Sequence, residues 1–164
     1  MARVFVAAWP PSRVRAALAA LPRPSVPGVR WLPEENLHVT LRVLGDVEPD
    51  EVTERLQATS LPAATAALGP AVTMLGRHVV MAPVAGLDGL AATVRQATED
   101  LGDPARRRFV GHVTLARCQR DGAGREVCGA PLDLTFDVGE VAVVSSQTHA
   151  DGARYTTRAT VPTA

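Results

Sequence analysis

At 164 residues, with 46% hydrophobic and 21% charged side chains, the chain has the size and composition of one globular domain, 1–164, able to bury a core without staples. Seventeen basic residues, every one an arginine, balance seventeen acidic ones, so no global field draws the protein to nucleic acid and any RNA contact must come from a local patch. The two cysteines, Cys118 and Cys128, lack the number and spacing of a zinc knuckle or redox motif and read as idle thiols of a reducing cytosol.

In chain order, residues 3–9 read as a buried strand. Pro10-Pro11-Ser12 then opens a helix, in which Val14, Leu18 and Leu21 recur at helical spacing. The same prolines cut the apolar run too short for a secretory core, and no stretch approaches a membrane span. A cytoplasmic protein without membrane contact is expected. A proline-rich loop ends at Gly28, residues 29–32 form a short strand, and residues 37–44 form a clear one closed by Gly45. Glu34 and Glu35 read as an exposed turn. A second helix starts after Glu48-Pro49-Asp50-Glu51, where the acids suit a helix N-terminus, carries Val52 and Leu56, and frays near Pro62.

Residues 71–75 and 78–84 read as strands around Gly76. Leu87, Leu90, Ala91, Val94 and Leu101 mark an amphipathic helix, ended by Gly102-Asp103-Pro104. Residues 111–118 are a strand and residues 121–124 a flexible loop. Strands over 132–136, 138–145 and 153–161 complete the chain. Strands and helices mixed with several hairpins argue for an α+β fold. The absence of lysine, with abundant Ala, Arg, Gly and Pro, points to a GC-rich and bacterial source.

One tetrapeptide repeats. His38-Val39-Thr40-Leu41 recurs 74 residues later as His112-Val113-Thr114-Leu115, and the two copies hold two of only four histidines. Side chains alternate along a strand, so His38 and Thr40 share one face and His112 and Thr114 share another. If the halves pair about a pseudo-twofold axis, two imidazoles and two hydroxyls converge on one cleft. Such a cleft suits phosphoryl transfer: one imidazole accepts a proton from the nucleophile while the other gives one to the leaving oxygen. With an ordinary pKa of ~6.5, one ring can be neutral and the other charged near neutrality. The threonine hydroxyls and an arginine can stabilise the phosphate without a metal. Strand parity favours Arg42, four residues after His38, over Arg117, five after His112, unless the second strand bulges.

The motifs then resemble a known family. The paired H-x-T-x motifs, the block from Trp31 to Gly45, the opening Arg3-Val4-Phe5-Val6-Ala7 with Pro10-Pro11, His112 to Arg117, and Ser145 with Arg154-Tyr155 are similar to the 2H phosphoesterase superfamily. The likeness is to the RNA 2′,3′-cyclic phosphodiesterases, also called 2′-5′ RNA ligases. It covers nearly the whole chain, least distinctively over 50–105. The resemblance implies a bilobal α+β fold, with two pseudo-twofold-related lobes of antiparallel sheet, helices outside and a central cleft. It implies metal-independent hydrolysis of 2′,3′-cyclic phosphates to 2′-phosphates, and a reverse reaction that joins RNA ends through a 2′-5′ bond. His38 would be the proton donor and His112 the proton acceptor. Thr40 and Thr114 would hold the phosphate, and Arg117 stands where the family often has Arg. The chain departs from the family at Gly111, where Pro is usual.

Other readings stand beside this one. His78 and His149 lack a following threonine and suit surface or hairpin roles. Arg106-Arg107-Arg108 is a solvated charge run or, with Arg108 and Phe109 beside His112, an RNA contact. Trp31 is core or a base platform. The expected partner is an RNA end or tRNA fragment bearing a 2′,3′-cyclic phosphate, with no cofactor, no metal and a monomeric protein. Alternatives are a sibling phosphodiesterase acting on cyclic nucleotides or 2′-5′ oligonucleotides, or an RNA-binding module without turnover.

Overall fold

The computed structural model describes residues 3–164. Along the chain run β1 (Arg3–Ala8), α1 (Ser12–Ala19), β2 (Val29–Trp31), β3 (Val39–Gly45), α2 (Pro49–Gln57), β4 (Ala64–Leu68), β5 (Thr73–Leu75), β6 (Val79–Ala85), α3 (Asp88–Ala97), β7 (His112–Cys118), β8 (Leu134–Val138), β9 (Glu140–His149) and β10 (Gly152–Pro162). Short helical turns at Glu34–Asn36 and Ala123–Val127 stand where an exposed turn and a flexible loop were expected. The strands pair antiparallel throughout and curl into a half-barrel, the α+β architecture expected.

Each helix buries a stripe: Val14 and Leu18 on α1, Val52 and Leu56 on α2, and Leu90, Ala91 and Val94 on α3. These meet one face of the sheet, including Val4, Val6, Leu41, Leu44, Val113 and Leu115, in a core that draws on both halves of the chain. With few aromatics to bury, the core is built from many aliphatic contacts of about 0.8 kcal/mol per buried methylene. Alternate residues of β1 point the other way. Phe5 and Ala7 pack with Ala142 and Val144 of β9 on the opposite face, flanked by Trp9 and Tyr155.

The strand order β10-β9-β1-β3-β7-β6-β4-β8 is two sets of four that meet at β3 and β7. The join is the pair Val39↔Val113, which are the same position of the repeated tetrapeptide. A pseudo-twofold axis therefore passes between them, and the two histidines flank it.

The repeat extends to an irregularity in the ladders. Against β1, Thr40 faces Ala7 and Arg42 faces Val6, with a register shift that leaves Leu41 unmatched. Against β6, Thr114 faces Met81 and Ala116 faces Val80, with a shift that leaves Leu115 unmatched. Ala7 and Met81, and Val6 and Val80, are separated by the same 74 residues as the histidines. Each half thus carries a bulge directly after its H-x-T, and a bulge reverses which face the following side chains take.

Besides shifts of a few residues at strand ends, one strand and one helix end differ from expectation. β4 is Ala-rich and carries no strand signal of its own; pairing with β8 on one side and β6 on the other makes it a strand. α3 ends at Ala97, short of Leu101: Thr98 leaves helical geometry at φ −120° and ψ 18°, and Arg42 donates to the carbonyls of Thr98 and Leu101 in the turn beyond. Gly111 also has a structural reason. The Val84 carbonyl lies 2.2 Å from where a side-chain carbon would sit, so this close approach of backbone excludes the proline usual in the family.

Candidate active site

The bulges decide which arginine faces the cleft. Beyond Leu41 the parity inverts, so Arg42 turns into the protein at 3% exposure. Its guanidinium donates to the carbonyls of Thr98, Leu101 and Asp103 at 3.3, 3.1 and 2.8 Å. The expectation that Arg42 binds phosphate is therefore corrected: it is a charged cap on the C-terminal end of α3, where a cation complements the helix dipole. Val43 takes the outward place instead, half exposed, and lines the cleft. In the second half the same inversion buries Ala116 and sets Arg117 outward, on the cleft wall.

His38, Thr40, His112 and Thr114 converge on a cavity of about 220 Å³, with Arg117 and Tyr155 beside them. The repeat governs ring orientation as well as position. His38 Nδ1 lies 2.8 Å from the Asn36 carbonyl and His112 Nδ1 lies 2.7 Å from the Val110 carbonyl, in each case two residues before the histidine. A carbonyl only accepts, so both Nδ1 atoms carry hydrogen and donate. Nε2 is left in each ring as the atom that gains or loses a proton. His38 Nε2 is 2.9 Å from Thr40 Oγ1; a neutral Nε2 accepts there from the threonine hydroxyl.

The surroundings of the two rings are unlike. Phe5 stacks on His38 at 4.9 Å, Trp9 lies tilted at 5.3 Å and Tyr155 meets it edge-on at 5.3 Å. Burial in this aromatic box lowers the His38 pKa to about 4. The bond to the Asn36 carbonyl works against that shift, and the charges of His112 and Arg117 reinforce it. His38 is therefore neutral at neutral pH. Burial raises the Tyr155 hydroxyl, with Arg117 pulling it down.

Other residues singled out in the sequence fall into place. Trp31 is half-buried; its Nε1 donates to the Pro24 carbonyl at 3.1 Å, Arg23 covers its ring at 5.5 Å, and it lines a groove next to the cleft. Phe109 packs against the core under Arg95, and Arg108 is exposed, neither of them lining the cleft. His78 bonds the Cys118 carbonyl and faces Asp121, a hairpin role. Cys118 and Cys128 are free thiols. Among the described residues no group of three or more His, Cys, Asp or Glu gathers as a metal site, and no helix is long and apolar enough to cross a membrane.

Sequence reasoning did not assign the aromatic box to the site. A signal existed: Phe5, Ala7 and Trp9 share parity on one strand, which puts two aromatics on one face.

With this geometry in view, the comparisons are decisive for family. The model of the 2′-5′ RNA ligase superfamily matches residues 10–150. The chain belongs to the 2′-5′ RNA ligase superfamily, as its paired motifs suggested. Solved structures agree over the full length. Escherichia coli LigT complexed with 3′-AMP is 26% identical, with a TM-score of 0.80 over 99% of this chain and 98% of that one. A structure described as a phosphoesterase is 27% identical, with a TM-score of 0.80 and the same coverage. LigT complexed with NADP+ is 26% identical, again over 99% and 98% of the two chains, at a TM-score of 0.77. A search of curated proteins gives no significant match. The superfamily is one of phosphodiesterases and ligases, and the fold supports phosphoesterase chemistry here.

Proposed function

We propose that this protein opens 2′,3′-cyclic phosphates at RNA ends, leaving a 2′-phosphate, with His38 as proton donor and His112 as proton acceptor. The observation that carries the reading is the pair of imidazoles, each with Nδ1 tied to its own backbone so that Nε2 is the titrating atom, on one cavity across a pseudo-twofold axis. Water gives a proton to His112 Nε2 and its oxygen bonds phosphorus. The bond from phosphorus to the ribose 3′ oxygen breaks, and that oxygen takes the proton from His38 Nε2. Thr40, Thr114 and Arg117 hold the non-bridging oxygens, and the scheme needs no metal. A 5′ hydroxyl in place of water would form a 2′-5′ bond by the same steps. The nucleotides that LigT binds are consistent with such a ligand.

The neutral His38 must be charged before it can donate. The phosphodiester supplies the reason: its negative charge beside the ring favours the imidazolium. His38 thus takes up its proton as substrate enters, and free solvent finds it unarmed.

The test is hydrolysis of cyclic-ended RNA and of nucleoside 2′,3′-cyclic phosphates, with chelator present and the product isomer identified. A 2′-phosphate formed at an undiminished rate is expected. A 3′-phosphate would contradict the assignment of roles, and loss of activity restored by zinc would contradict the metal-free scheme.

A further inference from the structure

The catalytic cavity opens at one end into a larger groove of about 730 Å³, the two sharing Leu32, Asn36, Arg117 and Tyr155. This groove belongs to the His38 side. Trp9 and Tyr155, which pack on the His38 ring, also line it, and so does Asn36, whose carbonyl holds that ring; neither histidine nor threonine of the repeat reaches it, and of the His112 strand only Arg117 does. Four guanidiniums, Arg15, Arg30, Arg117 and Arg154, meet only two carboxylates there, Glu35 and Asp151. On a protein whose net charge is zero, that is a local positive field of the kind the composition demanded for any RNA contact.

Its walls are held in shape. Arg30 donates to the Asp151 carbonyl and Asn36 Nδ2 to the Ala153 carbonyl at 3.0 Å, tying the tip of the β9–β10 hairpin to the opposite wall. The indole of Trp31 is fixed by its bond to Pro24 and by Arg23. A fixed aromatic face beside arginines is a stacking platform that accepts any base, and the volume matches a site for a nucleotide-sized ligand.

Reaction polarity adds a direction, and here the inference rests on the function proposed above. The leaving oxygen belongs to the terminal ribose and takes its proton from His38, so that ribose lies on the His38 side. The rest of the RNA is attached through the 5′ oxygen of the same ribose. It must leave the cleft on that side, while water enters beside His112.

We propose that the groove binds the nucleotide immediately 5′ to the cyclic end, with its base on Trp31 and its phosphate at Arg15 and Arg30. The preferred substrate class is a single-stranded RNA end of two or more nucleotides, and a cyclic mononucleotide fills only the inner cavity.

The experiment compares kcat/KM for a dinucleotide ending in a 2′,3′-cyclic phosphate with that for the matching nucleoside 2′,3′-cyclic phosphate. One stacked base and one paired phosphate should favour the dinucleotide by about tenfold or more, and added salt should shrink the preference. The Arg15→Gln/Arg30→Gln variant should bring the ratio to within about threefold of one. Arg15→Gln alone should lower the ratio in part; Arg15 Nε has no hydrogen-bond partner among the described residues and Arg15 takes no part in the contacts that tie the hairpin, so this variant keeps the test if loss of Arg30 disturbs the hairpin. Equal kcat/KM for both substrates in the unaltered protein would overturn the groove assignment while leaving the reaction intact. Equal losses on both substrates in the variants would overturn it too. Turnover of neither substrate would overturn the reaction itself, and the inference with it.

Discussion

His38 and His112 hang from the same backbone device, each donating Nδ1–H to the carbonyl two residues earlier and each followed two residues later by threonine. Around that common frame the two halves diverge. His38 sits among Phe5, Trp9 and Tyr155, and beyond its bulge stands Val43. Among the described residues no ring stacks on His112, and beyond its bulge stands Arg117. Duplication of a backbone therefore gives the symmetry that two-ended proton transfer needs, and substitution around it assigns the ends. In the proposed reaction the enclosed ring faces the ribose side, and the ring without an aromatic box faces water, with Arg117 beside it as the proposed phosphate-binding cation.

The sharpest contrast is between two arginines that the tetrapeptide spacing makes look alike. Arg117→Ala removes a charged donor from the cleft and should lower kcat/KM by roughly 10²–10³ while thermal unfolding stays near that of the unaltered protein. Arg42→Met should do the reverse. It leaves the carbonyls of Thr98, Leu101 and Asp103 without their donor and should cost about 3 kcal/mol, seen as a melting temperature lower by roughly 6–12 °C. The folded fraction should keep its kcat. A kinetic defect in Arg42→Met with normal stability would break the comparison.

The difference in ring environment has two smaller consequences in pH. kcat/KM reports the free enzyme, so one limb of its profile should lie near the His38 value of about 4. That limb should move upward in the profile of kcat, where bound phosphate favours the imidazolium. Trp9→Ala, which admits water to the box, should raise the kcat/KM limb toward the ordinary histidine range; an unmoved limb would separate the box from the shift. Stability should follow the same group. Between the ordinary value of 6.5 and about 4 the unfolded chain binds the proton and the folded cleft resists it, so folding weakens as pH falls through that window. The loss is about 3 kcal/mol at most. Urea unfolding of His38→Phe should lack this part of the pH dependence.

Much of this was legible in the sequence, and the boundary of legibility is physical. The H-x-T copies carry their meaning locally, because alternation along a strand places His and Thr together whatever the partner strand does. The α+β class followed from helix and strand periods that the core obeys. Arg42 was misread because a bulge is a property of two strands in register, and nothing in Leu41-Arg42 alone announces it. β4 escaped notice for a related reason, since Ala-Thr-Ala-Ala-Leu becomes a strand only between two others. The aromatic box combines residues from both ends of the chain, Phe5 and Trp9 with Tyr155, which the pairing of β9 with β1 and β10 brings together.

The central claim is that the two unlike half-sites form one acid–base unit. Its most direct test is single-turnover hydrolysis of cyclic-ended RNA by His38→Ala, His112→Ala and the double variant. Groups that act as one unit are strongly non-additive. Each single change should therefore slow the chemical step by roughly 10²–10⁴, and the double change should be little worse than either. Retention of most of the rate by either single variant, or losses that simply multiply in the double one, would contradict the account.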